Sequence, residues 1–404
     1  MHLLLIHQAF ASLDEAGGTR HYEMARFLVS RGHRVTIIAS PISYLTGKIQ
    51  NDKVRWLERE QPEEGITILR VFTYPALHKS FFHRLVSFFS FMISSFLVGL
   101  SVKQVDLVWG TSPPIFQGVT AWLIARIKGV RFLFEVRDLW PAFAVAAGVL
   151  RNRLLIRLSE ELECFLYRHA DRVMVNSPGF IEHVSSHGAR WVELVPNGAD
   201  PSMFDPNQNG SQTRRQWGLE GEFVVLYAGA HGLSNDLEVV LQSANILREE
   251  PHIRFVLVGD GKEKLRLIRQ AEEMRLSNII FMPPVAKKEM SEILSVADAC
   301  LAILKPLEWY KTTYPNKVFD YMAAAKAVVL AIDGVIREVV ETHNAGVAVP
   351  PGNPQVLAQV IRSLAADPQK TREMGLAGRS AVENYYNRQR FSIRLAEIIE
   401  EMRS

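Results

Sequence analysis

Phe223-Val-Val-Leu-Tyr-Ala228, a helical pattern from Asp236, then Arg254-Phe-Val-Leu-Val258 and a second helical pattern over Lys262–Arg275 form the stretch that decides the fold. Short β-branched or apolar runs that alternate with helices build right-handed crossovers around a mostly parallel sheet. Downstream the alternation continues. Ile279–Phe281 precedes Lys287–Val296, Cys300–Leu304 precedes Lys317–Ala325, Val328–Ala331 precedes Val335–Glu341, and Gly346–Val349 leads into two or three carboxy-terminal helices. Upstream it has already run once: Leu3–Ile6 then Thr19–Arg31, Val35–Ala39, Ile66–Thr73, Val105–Trp109 then Ile115–Lys128, Phe132–Val136, Val173–Asn176 then Gly179–His187, and Val192–Val195. Between the two runs, Asn197-Gly-Ala-Asp-Pro-Ser-Met-Phe-Asp-Pro-Asn-Gln-Asn-Gly-Ser-Gln212 has few apolar residues and many turn formers, which places a linker at about 198–220. The expectation is an α/β protein of two doubly wound, Rossmann-like domains, 1–200 and 201–385, facing each other across a cleft, with a carboxy-terminal helix, 386–404, packing back on the first. Open parallel sheets bind ligands beyond the carboxyl ends of their strands, so the cleft is the expected active site.

Composition narrows the partners. With 404 residues, 48% hydrophobic and 22% charged, the chain has the make-up of a globular protein and not of a disordered one. Lys+Arg 46 against Asp+Glu 43 leaves +3, too little to indicate a nucleic-acid binder. Charge is unevenly placed, however: Lys79 to Arg157 carries +7, so the remainder sums to −4. Cys164 and Cys300 are the only cysteines and have no metal-ligand spacing, so they read as reduced core thiols, and a structural zinc site is not expected. Met1-His-Leu-Leu-Leu-Ile-His7 lacks a basic leader and reads as a first strand, which makes a cytoplasmic location the expectation.

Several residues carry chemistry. Gly17-Gly18-Thr19-Arg20 follows the first strand and opens the first helix, where backbone N–H groups can approach an anion, although Thr19 serves equally as a plain N-cap. Gly259-Asp260-Gly261 sits in the same relation to a later strand. In Lys311-Thr-Thr-Tyr-Pro-Asn-Lys-Val-Phe-Asp-Tyr-Met-Ala-Ala-Ala-Lys326, Pro315 and Asn316 start a helix, which puts Lys317 in its first turn and Asp320 three residues on. A lysine there suits a diphosphate and a carboxylate one turn later suits a ribose diol, while an exposed Lys/Asp pair above a buried Phe319, Met322, Ala323 stripe is the plainer alternative. Asp138 lies just past the strand Phe132–Val136, where Arg137 is expected to lower its pKa; it either handles an acceptor hydroxyl or caps a turn. The sequence contains no Asp-x-Asp, so a bridging divalent metal is not expected.

The Lys311–Lys326 stretch resembles the K-T-x-x-P-S-K-x-F-E-Y-M-A-A-G-K-P signature of family 4 retaining glycosyltransferases of the GT-B fold, especially the bacterial cell-surface polysaccharide branch that includes fucosamine transferases. Further matches follow in the family's order: Gly17-Gly18-Thr19-Arg20-His21-Tyr22-Glu23, Tyr44-Leu45-Thr46-Gly47-Lys48, Arg137-Asp138-Leu139-Trp140-Pro141, Val195-Pro196-Asn197-Gly198-Ala199-Asp200 and Val258-Gly259-Asp260-Gly261. This resemblance implies a nucleotide diphosphate sugar donor, UDP- or GDP-linked, with no other cofactor. It implies that Lys317 contacts the diphosphate and Asp320 the ribose, with Gly17, Gly18, His231, Gly259, Lys311, Thr312 and Thr313 also on the donor side. Asp138, Lys317 and Asp320 are then the catalytic set, and Arg20, His21, Arg137 and Asn197 face the acceptor, a polyprenyl-diphosphate-linked glycan. The sequence departs from the pattern at Thr312, where the first of the paired acids is missing. It departs also at His231 for an arginine, Ala142 for a glutamate and Ala325 for a glycine.

Leu85–Leu100 is an uncharged run of sixteen residues, about 24 Å as a helix and short of a hydrocarbon core of about 30 Å. Four phenylalanines in it and flanking basic residues read as an interfacial helix on anionic lipid, at the inner face of the cytoplasmic membrane; a buried helix is the alternative. The functional expectation is a glycosyltransferase of lipopolysaccharide or similar polysaccharide synthesis. A nucleotide-sugar 2-epimerase on the same fold, or a silent nucleotide-sugar-binding subunit, is the competing reading.

Overall fold

The computed structural model describes residues 1–43, 46–49, 55–75 and 81–403. Tyr44 and Leu45 of the second motif and Lys79 of the basic window lie outside the described residues. The chain divides into two compact units: Met1–Ser12, Gly17–Pro196 and Gln389–Ser404 form the first, Leu13–Ala16 and Asn197–Arg388 the second.

In the first unit the strands are β1 (His2–Ile6), β2 (Arg34–Ala39), β3 (Leu57–Glu63), β4 (Ile66–Val71), β5 (Leu107–Ser112), β6 (Arg131–Val136), β7 (Arg172–Val175) and β8 (Val192–Leu194). They form one sheet in the order β3-β4-β2-β1-β5-β6-β7-β8, parallel throughout except for β3 against β4. The order reverses between β1 and β5, which makes their carboxyl ends the switch point where a crevice opens. Strand β3 is absent from the sequence reading for a physical reason. Leu-Glu-Arg-Glu-Gln-Pro-Glu has no apolar alternation because it is a largely solvent-facing edge strand, with a register shift between Glu60 and Glu63.

The second unit holds β9 (Phe223–Ala228), β10 (Ile253–Val258), β11 (Ile279–Met282), β12 (Ala299–Ile303), β13 (Ala327–Ala331) and β14 (Gly346–Ala348), all parallel, in the order β11-β10-β9-β12-β13-β14. Both faces of β9 are covered: Val224, Leu226 and Ala228 enter one apolar cluster, Phe223, Val225 and Tyr227 the other. Burial on both sides is why such strands read as continuous apolar runs. Here the switch point lies between β9 and β12. Helices Pro354–Ala366 and Pro368–Asn384 close this unit. The last helix, Arg388–Glu401, belongs mostly to the first unit, where Glu401 pairs with Arg172 at 2.6 Å and Arg394 with Glu193 at 2.8 Å.

The apolar segment of the first unit is a helix of 21 residues, Phe81–Ser101, longer than the uncharged run within it. At about 31 Å it is long and apolar enough to cross a membrane by length and composition, so the length argument against spanning fails. Its packing argues instead. Phe91 and Val98 enter the same core cluster as Leu4, Val108 and Phe134 of the sheet, and Ser87, Ser94 and Ser95 are buried with them. Phe82, Phe89, Ile93 and Leu97 remain exposed. Of the cysteines, Cys300 is buried as expected, whereas Cys164 is only half-buried.

Candidate functional site

Two groups of polar residues gather at the switch points, one in each unit. In the second unit, the loop after β9 (Gly229-Ala-His-Gly232) meets the loop after β10 (Gly259-Asp-Gly261). His231 N–H donates to the Asp260 carbonyl at 2.8 Å, and the His231 carbonyl accepts from Glu263 N–H at 2.9 Å. The approach is so close that a Cβ on Gly259, whose φ is +146°, would collide with the Gly229 carbonyl oxygen. One on Gly229 would stand 2.6 Å from Lys317 Nζ. Glycine at both positions is therefore a requirement of backbone and ammonium packing.

Lys317 lies in the first turn of the helix Asn316–Ala323, as its spacing predicts. Its Nζ is buried without a hydrogen-bond partner, 3.9 Å from the centroid of the Tyr227 ring. Burial pushes its pKa down to about 7. Both ring nitrogens of His231 are likewise buried and unpartnered. Burial first, then Lys264 and Lys317, hold His231 at about 4 against the opposing pull of Asp260, so the imidazole is neutral and offers one N–H. Two unpaired donors beside glycine backbone and a helix N-terminus make a receptor for an anion.

Asp320 does not pair with Lys317: its Oδ2 pairs with Lys287 Nζ at 2.6 Å, while Oδ1 is buried without a partner. Lys287 also lies 5.0 Å from the Phe204 ring centroid. Three further residues expected on the donor side make local bonds. Lys311 is exposed and pairs with Glu308 at 2.7 Å, Thr312 donates to the Trp309 carbonyl at 2.6 Å and Thr313 to the Tyr310 carbonyl at 2.8 Å. Asn197 is buried in this unit, donating to the Tyr314 carbonyl at 2.7 Å, with its Oδ1 buried and unpartnered.

In the first unit the centre is a residue that the sequence reading passed over. Glu135, on β6, has a fully buried carboxylate that meets Arg20 Nε at 3.2 Å, His21 Nε2 at 2.6 Å and Trp109 Nε1 at 3.2 Å. Burial alone would raise its pKa, but His21 and Arg20, with Arg137 nearby, outweigh that and hold it at about 2. Burial lowers the pKa of His21 more than Glu135 raises it, so a neutral imidazole donates to a carboxylate charge-balanced by Arg20. His7, immediately after β1, lies 4.3 Å from the His21 ring at a tilt of 56°, with both ring nitrogens unpartnered, and burial holds it well below the usual imidazole range.

Arg20 corrects an expectation. It is buried, and beyond Glu135 it donates to the Pro196 carbonyl at 2.7 Å and the Val195 carbonyl at 2.6 Å, so it ties the interior together and does not face an acceptor. His21 is buried also, bonded to Glu135 and packed against His7 and Trp109. Gly17 and Gly18, by contrast, are exposed just before the helix Arg20–Ser30, with open space where a Gly18 side chain would be. Thr19 makes no side-chain cap bond there and donates instead to Glu23 at 2.6 Å.

Asp138 and Arg137 follow β6. Arg137 donates to the Pro113 carbonyl at 2.9 Å. The expected lowering of the Asp138 pKa is reversed. Asp138 is exposed to solvent as a residue, yet desolvation by the protein around its carboxylate raises its pKa to about 6, and Arg137 only partly offsets that. His7 and Glu135 could be found in sequence only as polar residues interrupting or ending an apolar strand run, in Leu3-Leu-Leu-Ile-His7 and Phe132-Leu-Phe-Glu-Val136.

Residues 16–198 match the family described as glycosyl transferase 4-like domain, and residues 211–381 match glycosyl transferases group 1. The Escherichia coli (strain K12) glycosyl transferase WcaI, named for colanic acid biosynthesis, is 25% identical over 322 residues, 77% of this chain and 78% of its own. Sucrose-phosphate synthase from Thermosynechococcus elongatus shares the fold with a TM-score of 0.78 at 18% identity, covering 99% of this chain and 98% of that one. Anabaena HepE, solved with UDP and glucose, shares it at 0.74 and 16% identity, covering 99% and 100%. Such structures show that the two Rossmann-like sheets have the GT-B fold.

Proposed function

The chain belongs to the group 1, family 4-like glycosyltransferases, and from that premise we propose that it moves a sugar from a nucleoside diphosphate to an acceptor hydroxyl with retention at the anomeric carbon. The acceptor is a polyprenyl-diphosphate-linked glycan of cell-surface polysaccharide synthesis, such as lipopolysaccharide, at the cytoplasmic face of the membrane. The observation that carries the donor half is Lys317: an ammonium buried with no partner, beside a neutral His231 and two glycine loops. A diphosphate supplies the missing counter-charge. Departure of the nucleoside diphosphate is then stabilised by Lys317, by the His231 N–H and by the helix start at Asn316, without a metal ion. Asp320 Oδ1, held in place through the Oδ2 bond to Lys287, accepts from a ribose hydroxyl. On the acceptor side Asp138, with a pKa near neutrality, receives the hydroxyl proton or orients the oxygen.

Incubation with UDP- and GDP-sugars in EDTA, with and without a polyprenyl-diphosphate-linked acceptor, tests this reading. Transfer only with acceptor, and an unchanged anomeric configuration by NMR, is the expected result. A donor altered without acceptor would make the protein an epimerase; binding without turnover would make it a silent subunit. Activity that is lost in EDTA and restored by magnesium would overturn the metal-free leaving-group chemistry.

A further inference from the structure

A third polar cluster lies in the first unit, built from residues that the transfer chemistry does not use. Glu163 sits on the helix Arg153–His169, His183 on the short helix Ile181–Ser186, and His187 at the end of that helix. One ligand atom from each, a carboxylate oxygen and two imidazole nitrogens, lies within 4.8 Å of the others. The two imidazoles stack at 3.9 Å and 21°, as a spacing of four along a helix allows. His183 Nε2 is 3.0 Å from Glu163 Oε1.

Supporting bonds orient the set. His187 Nδ1 is 2.7 Å from the His183 carbonyl, an acceptor, so Nδ1 carries the proton and Nε2 keeps its lone pair. Tyr167 O–H donates to Glu163 Oε1 at 2.7 Å. Hydrogen bonds of this kind from groups outside the ligand set hold metal-binding histidines and carboxylates in place. The Glu163 side chain is 2% exposed, and among the described residues no lysine or arginine pairs with it. Two imidazoles and one carboxylate are the donor set of zinc and its first-row neighbours, whereas calcium and magnesium take oxygen. Ligands at about 2.0–2.1 Å in a tetrahedron stand roughly 3.3 Å apart, close to the present His183–Glu163 separation of 3.0 Å, while the His187 ligand atom lies within 4.8 Å of the other two.

We infer that Glu163, His183 and His187 form a binding site for a zinc-class transition-metal ion, which clamps the helix Arg153–His169 to the helix Ile181–Ser186 and is separate from sugar transfer. Full-length protein stripped with chelator and titrated with Co²⁺, followed by visible absorption, and with Zn²⁺, followed by calorimetry, tests this. One ion per chain, tetrahedral Co²⁺ bands and a higher Tm are expected. His183→Ala and His187→Ala should each abolish the bands and the Tm gain while circular dichroism stays native. Tyr167→Phe, which removes only a supporting bond, should weaken binding about 10–100-fold. The same stoichiometry and affinity in the double histidine variant would place binding elsewhere among the twelve histidines and overturn the site. Absence of binding at micromolar metal by the wild type would overturn it as well.

Discussion

Lys317 Nζ lies 3.9 Å from the centroid of the Tyr227 ring, and the missing side chain of Gly229 leaves it the room to do so. The aromatic face supplies partial compensation for a buried ammonium, of the order of 0.5–2 kcal/mol, but no counter-ion. Its pKa of about 7 records that shortage. A bound diphosphate raises this pKa, so donor binding takes up a proton and weakens as pH rises above about 7. Calorimetry in buffers of different ionisation enthalpy should show that uptake in wild type and not in Lys317→Ala. The variant should lose about 1.5–3 kcal/mol of nucleotide affinity, yet its unliganded form should be no less stable, because the lost charge was buried with no counter-ion. Affinity independent of pH in the wild type would remove Lys317 from the donor site.

Asp138 titrates on the other side of neutrality. With its pKa raised to about 6, the carboxylate needed to receive an acceptor proton is present above that value and lost below it. kcat/KM should therefore fall on acidification with an apparent pKa near 6, and Asp138→Asn should lower kcat by roughly 10²–10⁴-fold. Initial rates against pH with saturating donor read this directly. A variant that keeps wild-type rate with the same acid limb would assign the limb to another group.

Glu135 is structural support for that edge of the sheet. Its folded pKa of about 2 lies below the ordinary value of 4.5, so its stabilisation is fully present above about 4.5 and disappears as pH falls through 2. Glu135→Gln leaves Arg20 buried without its carboxylate and should cost about 3 kcal/mol near neutrality, with a shallower loss of stability between about pH 4.5 and 2. Urea unfolding at several pH values measures both. An unchanged midpoint would mean that the Val195 and Pro196 carbonyls alone satisfy Arg20.

Which residues were legible follows from how each is held. β9 and β10 announce themselves because both of their faces are buried, and the helix carrying Lys317 because Pro315 and Asn316 start it. Edge strand β3 shows no pattern because it has little to bury. Glu135 is found only in three dimensions: its partners Arg20 and His21 stand 115 and 114 positions away. Asp138 was placed correctly after β6, but the sign of its pKa shift was not, since adjacency to Arg137 is visible in sequence and crowding is not. The Lys287 bond to Asp320 was invisible for the same reason.

Ala325 shows a departure in sequence becoming a backbone cost. It follows the helix Asn316–Ala323 with φ +55°, and the bonds Lys326 N–H to Tyr321 carbonyl and Ala325 N–H to Met322 carbonyl close a Schellman motif around it. An L-residue in that conformation is strained by roughly 1–2 kcal/mol, partly offset because alanine has less chain entropy to lose than glycine. Ala325→Gly should therefore raise stability by about 0.5–1 kcal/mol and leave nucleotide affinity unchanged. A lower denaturation midpoint would show that the Ala325 methyl contributes packing that outweighs the strain.

The first unit presents apolar side chains on two helices that pack over the same core cluster. Phe82, Phe89, Ile93 and Leu97 form a stripe on the helix Phe81–Ser101; Leu154, Leu155 and Leu158 are exposed on the helix Arg153–His169, next to Arg151, Arg153 and Arg157, which are exposed too. Leucine interleaved with arginine on a solvent-facing helix suits an anionic lipid surface, to which each basic residue adds about 1 kcal/mol. The second patch was not anticipated from the uncharged run alone. Sedimentation with phosphatidylglycerol vesicles should therefore carry the protein down at low salt and only partly release it at high salt. Phe91 is core, so a test that replaces Phe88, Phe89 and Phe91 together would unfold what it probes. Phe89→Ser with Ile93→Ser, and separately Leu154→Ser with Leu158→Ser, change exposed positions and should each weaken sedimentation while Tm stays within a few degrees of wild type. Arg153→Gln with Arg157→Gln should remove mainly the salt-sensitive part. Wild type remaining in the supernatant at low salt, or apolar variants that sediment as wild type does, would make these patches ordinary surface and detach the enzyme from the membrane.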